Sequence, residues 1–196
     1  MIGNSKELFW YFNSVISNKD CDKIIKHGLS KRNTRATVGK DNDSKRDLKI
    51  RNSNIVFLND KWIYDILNPH VNSANDNAKW NFKLTRSEKV QFTVYKKQQF
   101  YHWHQDCWGH ANEYNLNRKL SVIVQLTDPK KYVGGELEFA RYEPSLKGNK
   151  SVIGTKDMAK RGTIIVFPSY TFHRVKPVTK GTRYSLVNWV QGPKFL

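Results

Sequence analysis

Hydrophobic positions along the 196-residue chain follow two regimes. Up to about residue 80 they recur at helical spacing. Ser17-Asn18-Lys19-Asp20 reads as a capping box, and Cys21, Ile24 and Ile25 then share one helical face, with Gly28 placed to stop the helix. Ser30 to Asp47 is polar and reads as a mobile loop. Arg51 to Leu58 reads as a strand, in which Ile55 and Phe57 alternate with Asn54 and Val56. Asp60 is positioned to cap a helix carrying Trp62, Ile63, Ile66 and Leu67. Pro69 either ends that helix or opens another, and the polar stretch Asn72 to Lys79 reads as peripheral.

From residue 88 the period falls to two. Val90, Phe92 and Val94 alternate with Gln91, Thr93 and Tyr95. Further strand-like runs are Phe100–Gln105, Leu120–Leu126, Glu136–Ala140, Thr163–Phe167, Thr171–Lys176 and Thr182–Val190. Turn signals separate most of them, at Asp128-Pro129, Gly134-Gly135, Gly148, Gly162, Pro168 and Lys180-Gly181. Short, evenly spaced strands predict a sandwich or barrel. The expectation is an α+β chain in one domain, 1–196, with residues 1–85 as helical and strand support packed on an all-β core, 86–196.

Charge changes the picture of partners. Lys and Arg number 34 against 17 Asp and Glu, a net charge of +17, which favours acidic macromolecules. The densest basic group is Lys31, Arg32, Arg35, Lys40, Lys45, Arg46, Lys49 and Arg51, but no nucleic-acid-binding motif accompanies it. No apolar run reaches the roughly 18 residues of a membrane helix, and Met1 to Trp10 lacks the order of a secretion signal. Two cysteines, Cys21 and Cys107, make neither a disulfide framework nor a thiolate zinc site. The expected setting is the cytoplasm, or the host cytoplasm for a phage-encoded chain, with no membrane partner and a monomeric state.

The chemistry concentrates in Tyr101-His102-Trp103-His104-Gln105-Asp106. On a strand, His102, His104 and Asp106 share one face. A straight strand separates residues 102 and 106 by roughly 13 Å, too far for one ion. His104 with Asp106 is the pair that converges, and His173, on a later strand, can close the site. His102 is left as a spare ligand or supporting group. Two imidazoles and one carboxylate on one side of a metal leave the other side open, as in non-haem Fe(II) oxygenases. Val175 to Arg183 reads as a hairpin turning near Lys180-Gly181, which sets His173 opposite Asn188 and Arg183 about 17 Å along the strand. That gap suits an arginine gripping the far end of a five-carbon diacid whose other end chelates the metal. Arg183, Ser185, Val187 and Trp189 share a face, so Trp189 is a candidate wall of the pocket.

Five strings carry a resemblance over residues 90 to 191: Tyr95-x-x-Gln98-x-x-Tyr101-x-x-His104-x-Asp106, Gly134-Gly135-Glu136-Leu137, Phe167-Pro168-Ser169, His173-Arg174-Val175-x-Pro177-Val178-Thr179-x-Gly181-x-Arg183, and Trp189-x-Gln191. Together they resemble the Fe(II)/2-oxoglutarate dioxygenases, in the prolyl 4-hydroxylase-like branch that includes the PKHD-type hydroxylases. The N-terminal helices also resemble those of small phage and bacterial members, and the resemblance implies a double-stranded β-helix, a jelly-roll or cupin-like barrel with the N-terminal helices packed on one sheet. It implies Fe(II) held by His104, Asp106 and His173, 2-oxoglutarate and O2 as co-substrates, and ascorbate as a candidate stimulant. It also implies that the C5 carboxylate pairs with Arg183, that Tyr95 hydrogen-bonds the co-substrate, and that Trp189 and Gln125 face it. Gln98 stands where the family usually has Gly, which predicts an altered turn between the strands bearing Tyr95 and Tyr101. Gly134-Gly135 is expected to serve a tight turn and close backbone approach.

Three functions compete. Hydroxylation of a protein or peptide, at proline, with release of succinate and CO2, ranks first. Oxidative nucleic-acid demethylation suits the charge, but that branch usually has a second Arg six residues beyond the first, where this chain has Trp189. A non-catalytic basic binding module is disfavoured by retention of all three ligands and Arg183. An acidic polypeptide is the expected partner, and nucleic acid is not favoured.

Overall fold

The computed structural model describes residues 7–32, 34–37, 47–107, 110–144, 152–153 and 156–195. Helices α1 (Asn18–Leu29) and α2 (Lys61–Asn77) accompany short strands. In chain order these are β1 (Trp10–Phe12), β2 (Thr34–Arg35), β3 (Arg51–Asn52), β4 (Asn54–Leu58), β5 (Arg86–Ser87), β6 (Val90–Tyr95), β7 (Phe100–His104), β8 (Leu116–Gln125), β9 (Tyr132–Gly134), β10 (Leu137–Ala140), β11 (Val152–Ile153), β12 (Ile164–Pro168), β13 (Phe172–Val175), β14 (Val178–Gly181) and β15 (Arg183–Pro193). The larger sheet runs β1-β12-β8-β15-β6-β4-β2, with β5 also on β15. The smaller runs β11-β10-β13-β7-β3, and β14 pairs with β9. All of these pairings are antiparallel.

Period-two patterning sorts the large sheet's side chains into two cores. Val90, Phe92 and Val94 of β6, Leu120, Val122 and Val124 of β8, Ile164 and Val166 of β12, and Leu186 and Val190 of β15 pack with Ile24 of α1 and with Ile63, Leu67, Val71 and Ala74 of α2. The opposite face sends Tyr95, Ile123, Ile165 and Phe167 against Leu137, Phe139 and Val175 of the smaller sheet. Two facing antiparallel sheets, one backed by helices, make the expected double-stranded β-helix. No helix among the described residues is long and apolar enough to cross a membrane.

Several local expectations change. The Ser17 hydroxyl caps α1 by accepting from the Asp20 amide at 3.1 Å. Gly28, however, lies inside the helix rather than beyond it, and close packing demands glycine there, since a Cβ would fall 2.5 Å from the Phe92 ring. Asp60 makes no side-chain cap bond and instead meets His27 Nε2 at 2.8 Å. Helix α2 runs through Pro69 to Asn77. An interior proline costs a helix about 3 kcal/mol, which burial of Leu67, Val71 and Ala74 on either side of it offsets. The stretch Asn72 to Lys79 is therefore not peripheral: Asn75 is buried and exchanges two 3.0 Å hydrogen bonds with the Phe82 backbone. The single strand expected over Arg51–Leu58 divides at Ser53, with β3 joining the smaller sheet and β4 the larger.

The hairpin expected after His173 does not form. β13 pairs with β10 and β7, while β15 pairs with β6 and β8, so His173 and Asn188 lie in different sheets. Apolar residues on both strands are better buried by facing sheets than by a single two-stranded ribbon. Part of the Ser30–Asp47 loop (33 and 38–46), Trp108 and Gly109 of the Cys107–Asn117 segment, and 145–151 and 154–155 of the Ser145–Lys160 segment lie outside the described residues.

Candidate active site

β7 ends at His104, and antiparallel pairing with β13 sets His104 directly opposite His173, their ring centroids 4.1 Å apart. Asp106 follows two residues after the strand, its backbone N–H donating to the Ser169 carbonyl at 2.8 Å. His104 Nε2 lies 3.6 Å from Asp106 Oδ1, and His173 Nε2 lies 3.4 Å from Oδ2. One donor atom from each residue falls within 4.8 Å of the other two. The strand-end convergence thus brings together His104, Asp106 and His173. His102 stays out of this group, its Nδ1 accepting from the Trp103 N–H at 2.8 Å.

Hydrogen bonds fix how each donor faces the group. Nδ1 of His104 lies 2.7 Å from the His102 carbonyl, and Nδ1 of His173 lies 2.9 Å from the Thr171 carbonyl. A carbonyl only accepts, so both Nδ1 atoms carry a proton, which turns both Nε2 atoms toward Asp106. Ser121 donates to Asp106 Oδ2 at 2.8 Å and meets the Ser169 hydroxyl at 2.9 Å. Burial, then the neighbouring His173, holds His104 well below the ordinary histidine value of 6.5. Burial alone would raise the Asp106 carboxyl, but His173, His104 and Arg118 outweigh it and hold it at about 2. A divalent ion needs its imidazole ligands deprotonated and its carboxylate ionised, and the low values of His104 and Asp106 suit that need.

The open side of this group is a cavity lined by Arg51, Gln91, Tyr95, Tyr101, Ile123, Val175, Arg183, Ser185, Val187 and Trp189. Alternation along β15 explains why Arg183, Ser185, Val187 and Trp189 all enter it. Arg183 is 1% exposed. Its Nη2 donates to Gln125 Oε1 at 2.8 Å and its Nη1 to Ser185 Oγ at 3.3 Å, while Nε is buried without a partner. No carboxylate pairs with it among the described residues. Gly135, at φ +68°, lets the arginine stem pass, since a Cβ there would lie 3.1 Å from Arg183 Cδ. Gly134, at φ +78°, meets the Pro177 carbonyl in the same way, so the glycine pair serves the turn and close approach expected of it.

Tyr95 sits across from Arg183 on β6, and burial raises its phenol, which keeps it a neutral donor. Trp189 walls the cavity, and its buried indole N–H faces the Asp106 carboxylate and helps to keep it ionised. Gln125 departs from expectation: it holds the guanidinium and is not among the cavity's lining residues. Tyr101 stacks on His104 at 3.4 Å. Gln98 adopts φ +64°, a left-handed conformation that glycine takes most readily, in the turn between Tyr95 and Tyr101.

Other contributors were not singled out from sequence. Ser121 is a polar interruption in an apolar strand, a signal that could have found it, and Ser169 stands in the matched Phe167-Pro168-Ser169 string. Glu88 holds Arg118 through two 2.6 Å bonds, and Arg118 lies 3.9 Å over the Trp189 ring. Nothing in the local sequence marks Glu88 or the cavity-lining Arg51.

Comparison with known proteins agrees with this geometry. Residues 90–191 match the family model of the 2OG-Fe(II) oxygenase superfamily. A PKHD-type hydroxylase of Gloeothece citriformis is 43% identical over 74 residues, 37% of this chain and 29% of that protein. One from Aliarcobacter butzleri is 26% identical over 141 residues, 71% of this chain and 50% of that protein. The chain thus spans from under a third to half the length of these curated relatives. Among solved structures, a viral collagen prolyl hydroxylase from Paramecium Bursaria Chlorella virus-1, in complex with 2OG, superposes with TM-score 0.69 at 21% identity, covering 95% of this chain and 97% of that one. A Pseudomonas putida prolyl-4-hydroxylase gives TM-score 0.69 at 16% identity, covering 95% and 94%. These two establish the shared double-stranded β-helix. With half the chain matched by the family model, the protein belongs to the 2OG-Fe(II) oxygenase superfamily, whose cofactor and co-substrates are Fe(II), 2-oxoglutarate and O2.

Proposed function

We propose that the chain hydroxylates a protein or peptide at proline, using His104, Asp106 and His173 to hold Fe(II) and Arg183 to receive the C5 carboxylate of 2-oxoglutarate. The observation that carries this reading is one cavity holding both a facial two-histidine, one-carboxylate donor set and a buried arginine with no acid partner among the described residues. Bound Fe(II), 2-oxoglutarate and O2 would supply the oxidation, in which decarboxylation to succinate and CO2 accompanies insertion of one oxygen atom into the substrate. The chain's own residues do the rest. The Nδ1 bonds to the His102 and Thr171 carbonyls aim both imidazoles, and Ser121 orients the carboxylate. Gln125 and Ser185 hold the guanidinium in place before the co-substrate arrives, so little is spent on ordering it. Tyr95 offers a neutral hydroxyl from β6 to the same ligand. Trp189, Ile123 and Val187 keep the cavity apolar, which strengthens charge interactions inside it.

The names of the solved neighbours support proline as the target, among them a Trichoplax adhaerens prolyl hydroxylase solved with a hypoxia inducible factor peptide (TM-score 0.65, 18% identity, 95% of this chain and 84% of that one). The net charge of +17 favours an acidic polypeptide, and we place the active chain in the cytoplasm as a monomer. The test is succinate release with Fe(II) and 2-oxoglutarate, followed by mass spectrometry of Pro-containing peptides for a gain of one oxygen atom at proline. Oxygen gain on methylated oligonucleotides and none on peptides would replace this reading with nucleic-acid demethylation. No succinate under any condition would leave a binding module.

A further inference from the structure

A second guanidinium lines the same cavity. Arg51 opens β3, the edge strand of the smaller sheet, and is 7% exposed. Its Nε donates to Ser53 Oγ at 3.2 Å and its Nη1 reaches the Thr37 carbonyl at 3.5 Å. Its carbon centre lies 4.5 Å over the Tyr101 ring, whose own plane covers His104. Among the described residues no carboxylate pairs with Arg51. Arg51 and Arg183 enter the cavity from different sheets, so one dicarboxylate held at the iron and at Arg183 leaves Arg51 unmatched.

Charge accounting makes the gap concrete. Among the described residues the lining holds two arginines and one carboxylate, Asp106. A divalent metal and the two carboxylates of 2-oxoglutarate cancel each other, so the loaded cavity keeps one positive charge, on Arg51. A cation this buried is costly unless an anion meets it. Arginine rather than lysine also fits, because its planar fork accepts a carboxylate through two hydrogen bonds.

We infer that Arg51 receives a carboxylate of the substrate, so that the favoured substrates carry Asp or Glu beside the residue to be oxidised. This rests on the oxygenase reading of the cavity. The chain's excess of positive charge would steer such acidic segments toward it.

The test uses the full chain loaded with Zn(II) and 2-oxoglutarate, which binds without turning over. Calorimetry compares acetyl-Glu-Pro-amide and acetyl-Pro-Glu-amide with their Gln counterparts. One acidic peptide is expected to bind about tenfold or more tightly than its amide, the size of one charge-assisted hydrogen bond. Arg51→Gln should bring that ratio close to one. Arg51→Glu should reverse it, favouring Lys-containing peptides, which guards against a variant that has merely lost its fold. Absence of an acid preference in the unmodified chain, or its survival in Arg51→Gln, overturns the inference. So does a tenfold loss of 2-oxoglutarate affinity in Arg51→Gln, which would make Arg51 a co-substrate residue. Acid preference without oxygen insertion at proline would leave Arg51's role standing and remove proline hydroxylation. Oxygen insertion without acid preference would do the reverse.

Discussion

On one wall of the cavity, His104 and His173 sit on strands of five and four residues, and each imidazole is aimed by the backbone carbonyl two residues before it. On the other wall, Arg183 lies on an eleven-residue strand between β6 and β8, and its guanidinium is held by Gln125, 58 positions away in sequence. The two imidazoles are therefore aimed locally, within two residues of each ring, while Asp106 takes its support from Ser121 and Ser169 elsewhere in the fold. The arginine wall is specified by tertiary structure: the β8 register that places Gln125, the left-handed Gly135 that admits the stem, and the partners that leave Nε unpaired. A locally aimed donor fails when it is itself lost. A tertiary wall also fails when a distant support is lost.

The sharpest break is removal of a donor. His104→Ala, Asp106→Ala or His173→Ala should each abolish turnover and weaken metal binding at least a hundredfold, since each supplies one of three ligands. His102→Ala should bind metal normally, because its side chain points out of the group. Calorimetry with Zn(II) checks both. Normal metal affinity in any of the three donor variants would dissolve the metal wall.

Next in size, Arg183→Gln should raise the 2-oxoglutarate KM on the order of a hundredfold, the worth of two charge-assisted hydrogen bonds. Metal affinity should change little, because the defect lies on the other wall. Gln125→Ala tests the tertiary support: the guanidinium loses a 2.8 Å acceptor but keeps its charge, so the KM should rise by less, about tenfold. An equal loss in both variants would mean that the carboxylate does not meet Arg183 directly.

This contrast also explains what the sequence made legible. His173 was readable because the string it opens carries the family resemblance, and His104 and Asp106 because strand period and ligand spacing are local properties. The helix starting at Ser17 and the alternation in β6 and β8 were readable for the same reason. The residues misread were those whose meaning depends on distant partners. Gly28 looks like a helix stop until Phe92 is packed against it. Pro69 looks like a boundary until the large sheet buries both sides of it. The segment from Val175 to Arg183 looks like a hairpin, yet its flanking strands belong to opposite sheets. Arg51 and Glu88 carry no local mark at all.

Glu88 joins the walls. It pairs with Arg118, which stacks on Trp189 and reaches the Asp106 carbonyl at 3.4 Å. Glu88→Gln leaves a mostly buried guanidinium without its counter-ion, and stability should fall by about 2 kcal/mol, below the full figure for a buried pair because about a fifth of each side chain is exposed. Urea denaturation measures this, and an unchanged midpoint would remove the pair from the support of the site.

Acid should act first on the metal wall. In the metal-free protein, folded His104 resists protonation below 6.5 whereas the unfolded chain takes up the proton, so stability falls as pH drops below 6.5. The slope from this one group is at most about 1.4 kcal/mol per pH unit. Asp106 acts lower: its folded value of about 2 lies under the ordinary 3.8, so its contribution is complete above 3.8 and is lost as pH falls toward 2. Urea midpoints at pH 7, 6 and 5 should fall less steeply in His104→Gln than in the unmodified chain. Parallel curves would show that the proton goes elsewhere.

The smallest effect sits where the walls meet. The turn from β6 to β7 connects the arginine wall to the metal wall, and Gln98 crosses it at φ +64° while its N–H donates to the Val178 carbonyl at 2.7 Å. A side chain held in the left-handed region costs about 1–2 kcal/mol. Glycine removes that strain but loses about 0.5–1 kcal/mol through the greater freedom of its unfolded chain. Gln98→Gly should therefore gain about 0.5 kcal/mol, read as a small rise in urea midpoint with no change in metal or 2-oxoglutarate affinity. Gln98→Val, branched at Cβ, should lose more than that gain, because such residues tolerate positive φ worst. The opposite signs of the two variants separate backbone strain from any contact of the glutamine side chain, and a loss in both would assign the turn's geometry to that side chain instead.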